Sequence, residues 1–328
     1  MTLSCDMQLD RPNGQYQAGE TVNGNIYLTL PERQLIKAIA LEANGYAACS
    51  WLKPQKQKKK NQQPQEQNVV VIDKSKGKQK EPIAFEQRVD YLASTSYFIG
   101  SEAARHKIMD AGVYHFAFSV PLPENCPSSY EGQYGHIRYT LQLVLLLGGD
   151  TNERLVAHYR TLQVVQHADL RHESATLNEP LDEQQLERTP RMKFWQRPLL
   201  LELNIPRRGY APGEGISVHV RLHNPQQLML SELIYKLNLL TTYTGQQRGK
   251  PKRQDTKLER RNLLSSVHQL SNTPRSELFQ HLHTLTVPQM PPSLEVVSCQ
   301  CLQLSYEVEV VAKTTQRTRF IMAQVPVC

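Results

Sequence analysis

The sequence has no long apolar run. Its longest, Leu143–Leu147, falls far short of the ~18 residues a spanning helix needs. The opening stretch MTLSCDMQLD lacks a basic region followed by an apolar one, so no signal peptide is expected. No Asn-x-Ser/Thr acceptor occurs. Cysteine is scarce: Cys5, Cys49, Cys126, Cys299, Cys301 and Cys328 are too few and too scattered for a disulfide framework in 328 residues. Gly-x-Gly-x-x-Gly, the P-loop, Gly-x-Ser-x-Gly and His-Glu-x-x-His are all missing. These absences argue against membrane-spanning, secreted and enzymatic classes. They leave a reduced, cytosolic binding protein, with no catalytic residue and no cofactor expected.

Charge is present but uneven. The net charge is +7. Residues 53–80 hold Lys53, Lys56, Lys58, Lys59, Lys60, Lys74, Lys76, Lys78 and Lys80 against only Glu66 and Asp73. Residues 245–261 hold Arg248, Lys250, Lys252, Arg253, Lys257, Arg260 and Arg261 against Asp255 and Glu259. The remainder is mildly acidic, so the basicity belongs to these two segments, both read as loops.

The chain also repeats itself. At a constant offset of 194, Leu9, Pro12, Tyr16, Gly19, Glu20 and Leu28 match Leu203, Pro206, Tyr210, Gly213, Glu214 and Leu222. Ile36 and Ile39 match Leu230 and Leu233 in kind. A second block follows at an offset of 167, with Val120/Val287, Pro121/Pro288 and Tyr139/Tyr306. Two ordered blocks with shared spacing indicate two copies of one fold. The basic segments follow the same strand of each copy.

Each copy reads as β. Period-two alternation runs through Asn25–Leu30, Lys37–Ala43, Val113–Val120, Ile137–Leu145, Ile216–Leu222, Leu282–Val287 and Leu302–Val311, with Gly, Pro and Asn between. Long amphipathic helices are scarce, although Ser101–Met109 and Leu181–Leu186 could each hold helical turns. The expected fold class is all-β, two tandem immunoglobulin-like sandwich lobes joined by a polar linker. The expected boundaries are 1–165, a linker 166–195 without strand pattern, and 196–328.

Several motifs resemble the arrestin superfamily, specifically the arrestin-domain-containing proteins (α-arrestins). They are Tyr16-Gln-Ala-Gly-Glu20 with Val22-x-Gly24, Gly45 to Trp51, and Gly112-Val-Tyr-His-Phe-Ala-Phe118 leading to Leu122-Pro123. They continue with Pro127-Ser-Ser-Tyr130 before Gly135-His-Ile-Arg-Tyr139, Gly209-Tyr210-x-Pro212-Gly213-Glu214, and Tyr306-Glu-Val-Glu-Val310. The resemblance spans nearly the whole chain. It implies two arrestin-type sandwich lobes and a non-enzymatic adaptor. Such an adaptor binds integral-membrane cargo at the plasma membrane or endosomes and links it to ubiquitin ligases or coat proteins. The family's Pro-Pro-x-Tyr motif, read by WW domains, does not occur: Pro291-Pro292-Ser293 is followed by Leu294.

Candidate sites are few. Lys53–Lys80 and Arg248, Lys250, Lys252 and Arg253 form a candidate surface for anionic membrane or acidic cargo tails. The plainer reading of the lysine segment is a solvated insertion, which costs little in closure entropy. Exposed lysines there would also suit ubiquitylation. Nucleic acid is disfavoured because no aromatic between Trp51 and Phe85 offers a base-stacking platform. Cys299-x-Cys301 and His281-x-His283 are weak metal candidates: i and i+2 share a strand face, and four such ligands could converge if the strands were neighbours. Otherwise one cysteine fills the core and the histidines line a surface. Trp51 reads as a core anchor or an interface contact. Tyr16, Gly19, Glu20 and their partners read as structural turns. A retromer-like coat subunit and a nucleic-acid factor are the alternative functions.

Overall fold

The computed structural model describes residues 3–54, 81–148, 153–166, 179–187, 199–225, 227–270, 277–294, 299–315 and 320–327. Among them every regular element is a strand. The first lobe contains β1 (Ser4–Leu9), β2 (Gln15–Gln17), β3 (Thr21–Leu30), β4 (Gln34–Lys53) and β5 (Ile83–Gly100). It continues with β6 (Lys107–Met109), β7 (Gly112–Pro121), β8 (Tyr130–Glu131), β9 (Gly135–Leu147) and β10 (Arg154–Val165). The second contains β11 (Leu181–Glu187), β12 (Leu199–Ile205), β13 (Gly215–His223) and β14 (Leu230–Gln247). Then come β15 (Lys250–Gln269), β16 (Leu278–Thr286), β17 (Leu302–Thr314) and β18 (Phe320–Val327).

The duplication is visible strand by strand. In the first lobe a sheet of order β1-β3-β7 faces one of order β5-β4-β9-β10. In the second, β12-β13-β16 repeats the former and β15-β14-β17-β18 the latter. Inward side chains alternate with outward ones along each strand. Ile26, Leu28, Leu41 and Leu143 fill the first core, and Val218, Val220, Leu237 and Val308 the second. The larger sheets are not separate. Gln246 and Gln247 of β14 pair with Glu86 and Phe85 of β5, so one sheet runs through both lobes.

The corner opening each repeat is built the same way twice. Gly19 and Gly213 have φ of 83° and 90°, a conformation that side chains with a Cβ resist. Glu20 Oε2 accepts from the Gln17 amide at 2.7 Å, and Glu214 Oε2 from the Ala211 amide at 2.9 Å. Each carboxylate also pairs with an arginine, Arg11 at 2.7 Å and Arg207 at 2.9 Å. Each guanidinium lies over the repeat's tyrosine, 5.1 Å from Tyr16 and 4.7 Å from Tyr210. The arginines escape sequence comparison because they stand 196 apart, two residues out of register with the 194 offset. Tyr139 and Tyr306, both buried, donate their hydroxyls to the Pro127 and Pro291 carbonyls at 2.7 and 2.5 Å.

Four expectations need correction. Leu122 and Val287, not Val120 and Val287, are equivalent: their amides donate to the Glu20 and Glu214 carbonyls at 2.8 and 2.9 Å. The Val-Pro dipeptides stand two residues out of the sheet register. Leu181–Leu186 is strand, not helix; as part of β11 it pairs antiparallel with β12, placing a sheet edge inside the stretch read as linker. Residues 101–109 hold turns and β6 rather than helix. The segment 245–261 is not a loop. Only Arg248 and Gly249 turn the chain, and β15 runs on from Lys250.

Candidate functional site

The hairpin β4–β5 opens with Lys53 paired to Ile83, and the hairpin β14–β15 turns at Arg248-Gly249. The β5–β14 pairing brings these ends together, and the Arg248 amide donates to the Ala84 carbonyl at 3.0 Å. Both basic segments therefore start from one crest at the lobe junction.

Beneath the crest lies an aromatic layer. Trp51 is buried and stacks on Phe85 with centroids 6.0 Å apart. Tyr134 meets Trp51 edge-on at 6.4 Å and Tyr243 at 5.7 Å. The Trp51 indole donates to Asp255 Oδ2 at 3.2 Å, across the junction. Cys49 donates to the Thr244 carbonyl at 3.3 Å, and Tyr130 shares a 2.7 Å hydrogen bond with Thr241. Tyr243 donates to Glu259 Oε2 at 2.5 Å, and the Gln133 amide donates to the same oxygen at 2.9 Å. Burial, with Glu259 beside it, pushes the Tyr243 phenol well above its usual range, so it remains a donor. Trp51 is thus core anchor and lobe contact at once.

The strand character of β15 was hidden because its junction-facing positions are charged. Asp255, Lys257 and Glu259 alternate in step with the pleat, and each meets the first lobe: Asp255 at Trp51 and Lys53, Lys257 over the Tyr134 ring at 5.6 Å, Glu259 at Gln133. Period two in polar rather than apolar residues was the available signal.

The predicted basic residues separate into three groups. Lys53 is ion-paired with Asp255, whose carboxyl is held below its usual range by that contact above all. Arg248 pairs with Glu86 at 3.3 Å. Lys250, Lys252 and Arg253 are exposed at the start of β15. Leu52, 64% exposed, is an apolar side chain at the other hairpin end. Lys56, Lys58, Lys59, Lys60, Lys74, Lys76, Lys78 and Lys80 lie outside the described residues.

The four metal candidates do not converge. Cys301 is anchored to β14 at Thr244, whose amide donates to its carbonyl at 3.0 Å, and Cys299 Sγ lies 3.7 Å from Cys301 Sγ. Hydrogen bonds from Cys301 and then Tyr91 draw the Cys299 thiol below its ordinary range. His281 and His283 pack instead on Tyr235. Tyr235 and Thr244 lie nine residue steps apart along β14, roughly 30 Å. Among the described residues no group of three or more His, Cys, Asp or Glu is placed to hold a metal ion. No helix among them is long and apolar enough to cross a membrane.

The arrestin N-terminal domain family matches residues 5–171, and the arrestin C-terminal domain family matches residues 195–328. Among curated proteins, arrestin domain-containing protein 17 of Caenorhabditis elegans is 25% identical over 94% of this chain and 68% of its own length. Human arrestin domain-containing protein 4 is 25% identical over 92% of this chain and 65% of its own. Human arrestin domain-containing protein 5 is 21% identical over the whole chain and 88% of its own length. The chain therefore spans about two thirds of the first two relatives. With both domain families matched in order over a duplicated sandwich, this chain belongs to the arrestin family, in the company of the arrestin-domain-containing proteins.

Proposed function

We propose that the chain is a non-enzymatic adaptor that docks through its basic crest on integral-membrane cargo and the anionic lipid around it. The observation that carries this reading is the meeting of the two hairpin ends, which gathers Lys250, Lys252, Arg253 and Leu52 on one rim. Basic residues near an anionic bilayer contribute about 1 kcal/mol each, and an apolar side chain among them can enter the headgroup layer. The crest would act at the cytoplasmic face of the plasma membrane or of endosomes, directing sorting of the cargo. Coupling of the cargo to ubiquitin ligases or coat proteins completes this reading; no Pro-Pro-x-Tyr motif occurs within these 328 residues.

The test is co-sedimentation with vesicles of phosphatidylcholine with and without phosphatidylserine. Reversing Lys250→Glu, Lys252→Glu and Arg253→Glu together should weaken binding to the anionic vesicles by about a hundredfold or more. Unchanged binding would remove the crest from the docking surface. Proximity labelling in cells, run on the unaltered chain beside the same variant, checks the cargo arm: membrane proteins recovered by the unaltered chain and lost by the variant support the adaptor, and recovery of mainly ribonucleoproteins or chromatin would overturn it.

A further inference from the structure

The second lobe closes one side of its sandwich with histidines. β15 and β16 are edge strands of its two facing sheets, and His268 of β15 stacks on His281 of β16 with ring centroids 4.0 Å apart. His283 stacks on Tyr235 of β14 at 4.3 Å, and His281 Nδ1 lies 2.7 Å from the Tyr235 hydroxyl. The three imidazoles and one phenol form a continuous stack across the seam. His283 Nε2 is buried without a hydrogen-bond partner.

The first lobe closes the same seam differently. Its edge strands are β5 and β7, and there Phe98 stacks on Phe116 at 4.8 Å. The sheet register sets the equivalence. Val22 pairs with Val120 and Ile216 with Leu285, so β7 and β16 correspond 165 residues apart. Phe116 and Phe118 thus stand where the second lobe has His281 and His283. Two seams of like geometry carry rings that cannot ionise in one lobe and rings that can in the other.

We propose that the Tyr235–His268–His281–His283 stack is an acid-sensitive latch, whose protonation parts the β15 and β16 edges and loosens the second lobe while the first stays closed. Two imidazolium rings stacked 4 Å apart repel, and no ion-pair partner offsets the repulsion among the groups that face them. From β14 the facing titratable group is Tyr235, from β15 His268, and from β16 His281 and His283. Buried Val218 and Val220 on β13 and Val310 on β17 line the same interior. Lys236 and Glu309 pair with each other on the opposite sheet face, and His219 is exposed on the far side of β13. No carboxylate faces the stack among the described residues.

The direction of titration agrees. Burial first, then the neighbouring histidines, pull His281 below the ordinary imidazole value, and burial followed by His268 does so for His283. A base whose folded value is depressed stabilises the fold fully above the unfolded value of about 6.5. That contribution is lost as pH falls through the window beneath it.

Hydrogen exchange of the full chain, corrected for intrinsic rates, tests this at about pH 7.5 and about pH 5.5. Expected is a loss of protection of about tenfold or more in residues 263–270 and 278–286, with residues 93–100 and 112–121 unchanged. Substituting the first-lobe chemistry, His268→Phe with His281→Phe and His283→Phe, should abolish the loss. Protection that survives acid, falls equally in both lobes, or still falls in a folded triple variant would overturn the latch. Should that variant not fold, imidazole titration in the unaltered chain by nuclear magnetic resonance decides. Midpoints for His281 and His283 below the ordinary imidazole value of about 6.5 support the proposal, and midpoints at or above it overturn it.

Discussion

The two lobes agree where the backbone must turn and differ where side chains merely fill a seam. Their entry corners share a glycine of positive φ, a glutamate that caps the turn, and an arginine laid over a tyrosine. Their open seams share geometry only, Phe98 on Phe116 in one and His268 on His281 in the other. Backbone conformation tolerates few residue types. A stacked pair needs only flat rings, so one copy can change its chemistry without losing its shape.

The sharpest way to break the comparison is to separate the lobes. Trp51→Ala should cost ~3–5 kcal/mol by chemical denaturation, since it removes a buried aromatic and its bond to Asp255. A loss below 1 kcal/mol would mean that the lobes are stable independently of that contact. Next come the corner glycines. Gly19→Ala and Gly213→Ala should each cost ~1–2 kcal/mol for a left-handed conformation. Gly19→Ala should cost more, because its Cβ would meet Glu124 Cγ at 3.3 Å whereas nothing lies within 4 Å at Gly213. Equal costs would show that crowding at Glu124 relaxes freely.

The smallest effect lies in the corner carboxylates. Arg11 chiefly lowers Glu20, and the Ala211 amide chiefly lowers Glu214. Both contribute stability above about pH 4.5 that fades as pH falls below it. About 0.5 M salt should raise the Glu20 titration midpoint more than that of Glu214, because an exposed ion pair is screened and a backbone hydrogen bond much less so. Identical salt responses in carboxyl titrations would contradict this assignment.

How much was legible in the sequence follows from the same contrast. Tyr-x-x-Gly-Glu at a fixed offset announced the duplication because turn chemistry is intolerant. Apolar alternation announced the strands that face a core. β15 was missed because its own junction-facing residues, Asp255, Lys257 and Glu259, are charged, and β11 because a polar edge strand carries no apolar period. The crest was half legible. Charge runs marked both segments, but only the β5–β14 pairing shows that they meet, and the neutralising roles of Asp255 and Glu86 had no local signal. The histidine seam was visible as His-x-His yet pointed to metal, since its partners His268 and Tyr235 lie on strands distant in sequence.

The direct pairing of Lys53 with Ile83 has a consequence of its own. The strand register fixes both ends of the intervening segment, so the sandwich sets where that segment leaves and returns but not how long it is. Closure entropy grows only with the logarithm of length, about 0.6 kcal/mol per doubling. The equivalent point of the second lobe is bridged by Arg248 and Gly249 alone. The position is therefore a port in the scaffold, where a sequence of almost any length can be carried at the rim without refolding what lies beneath.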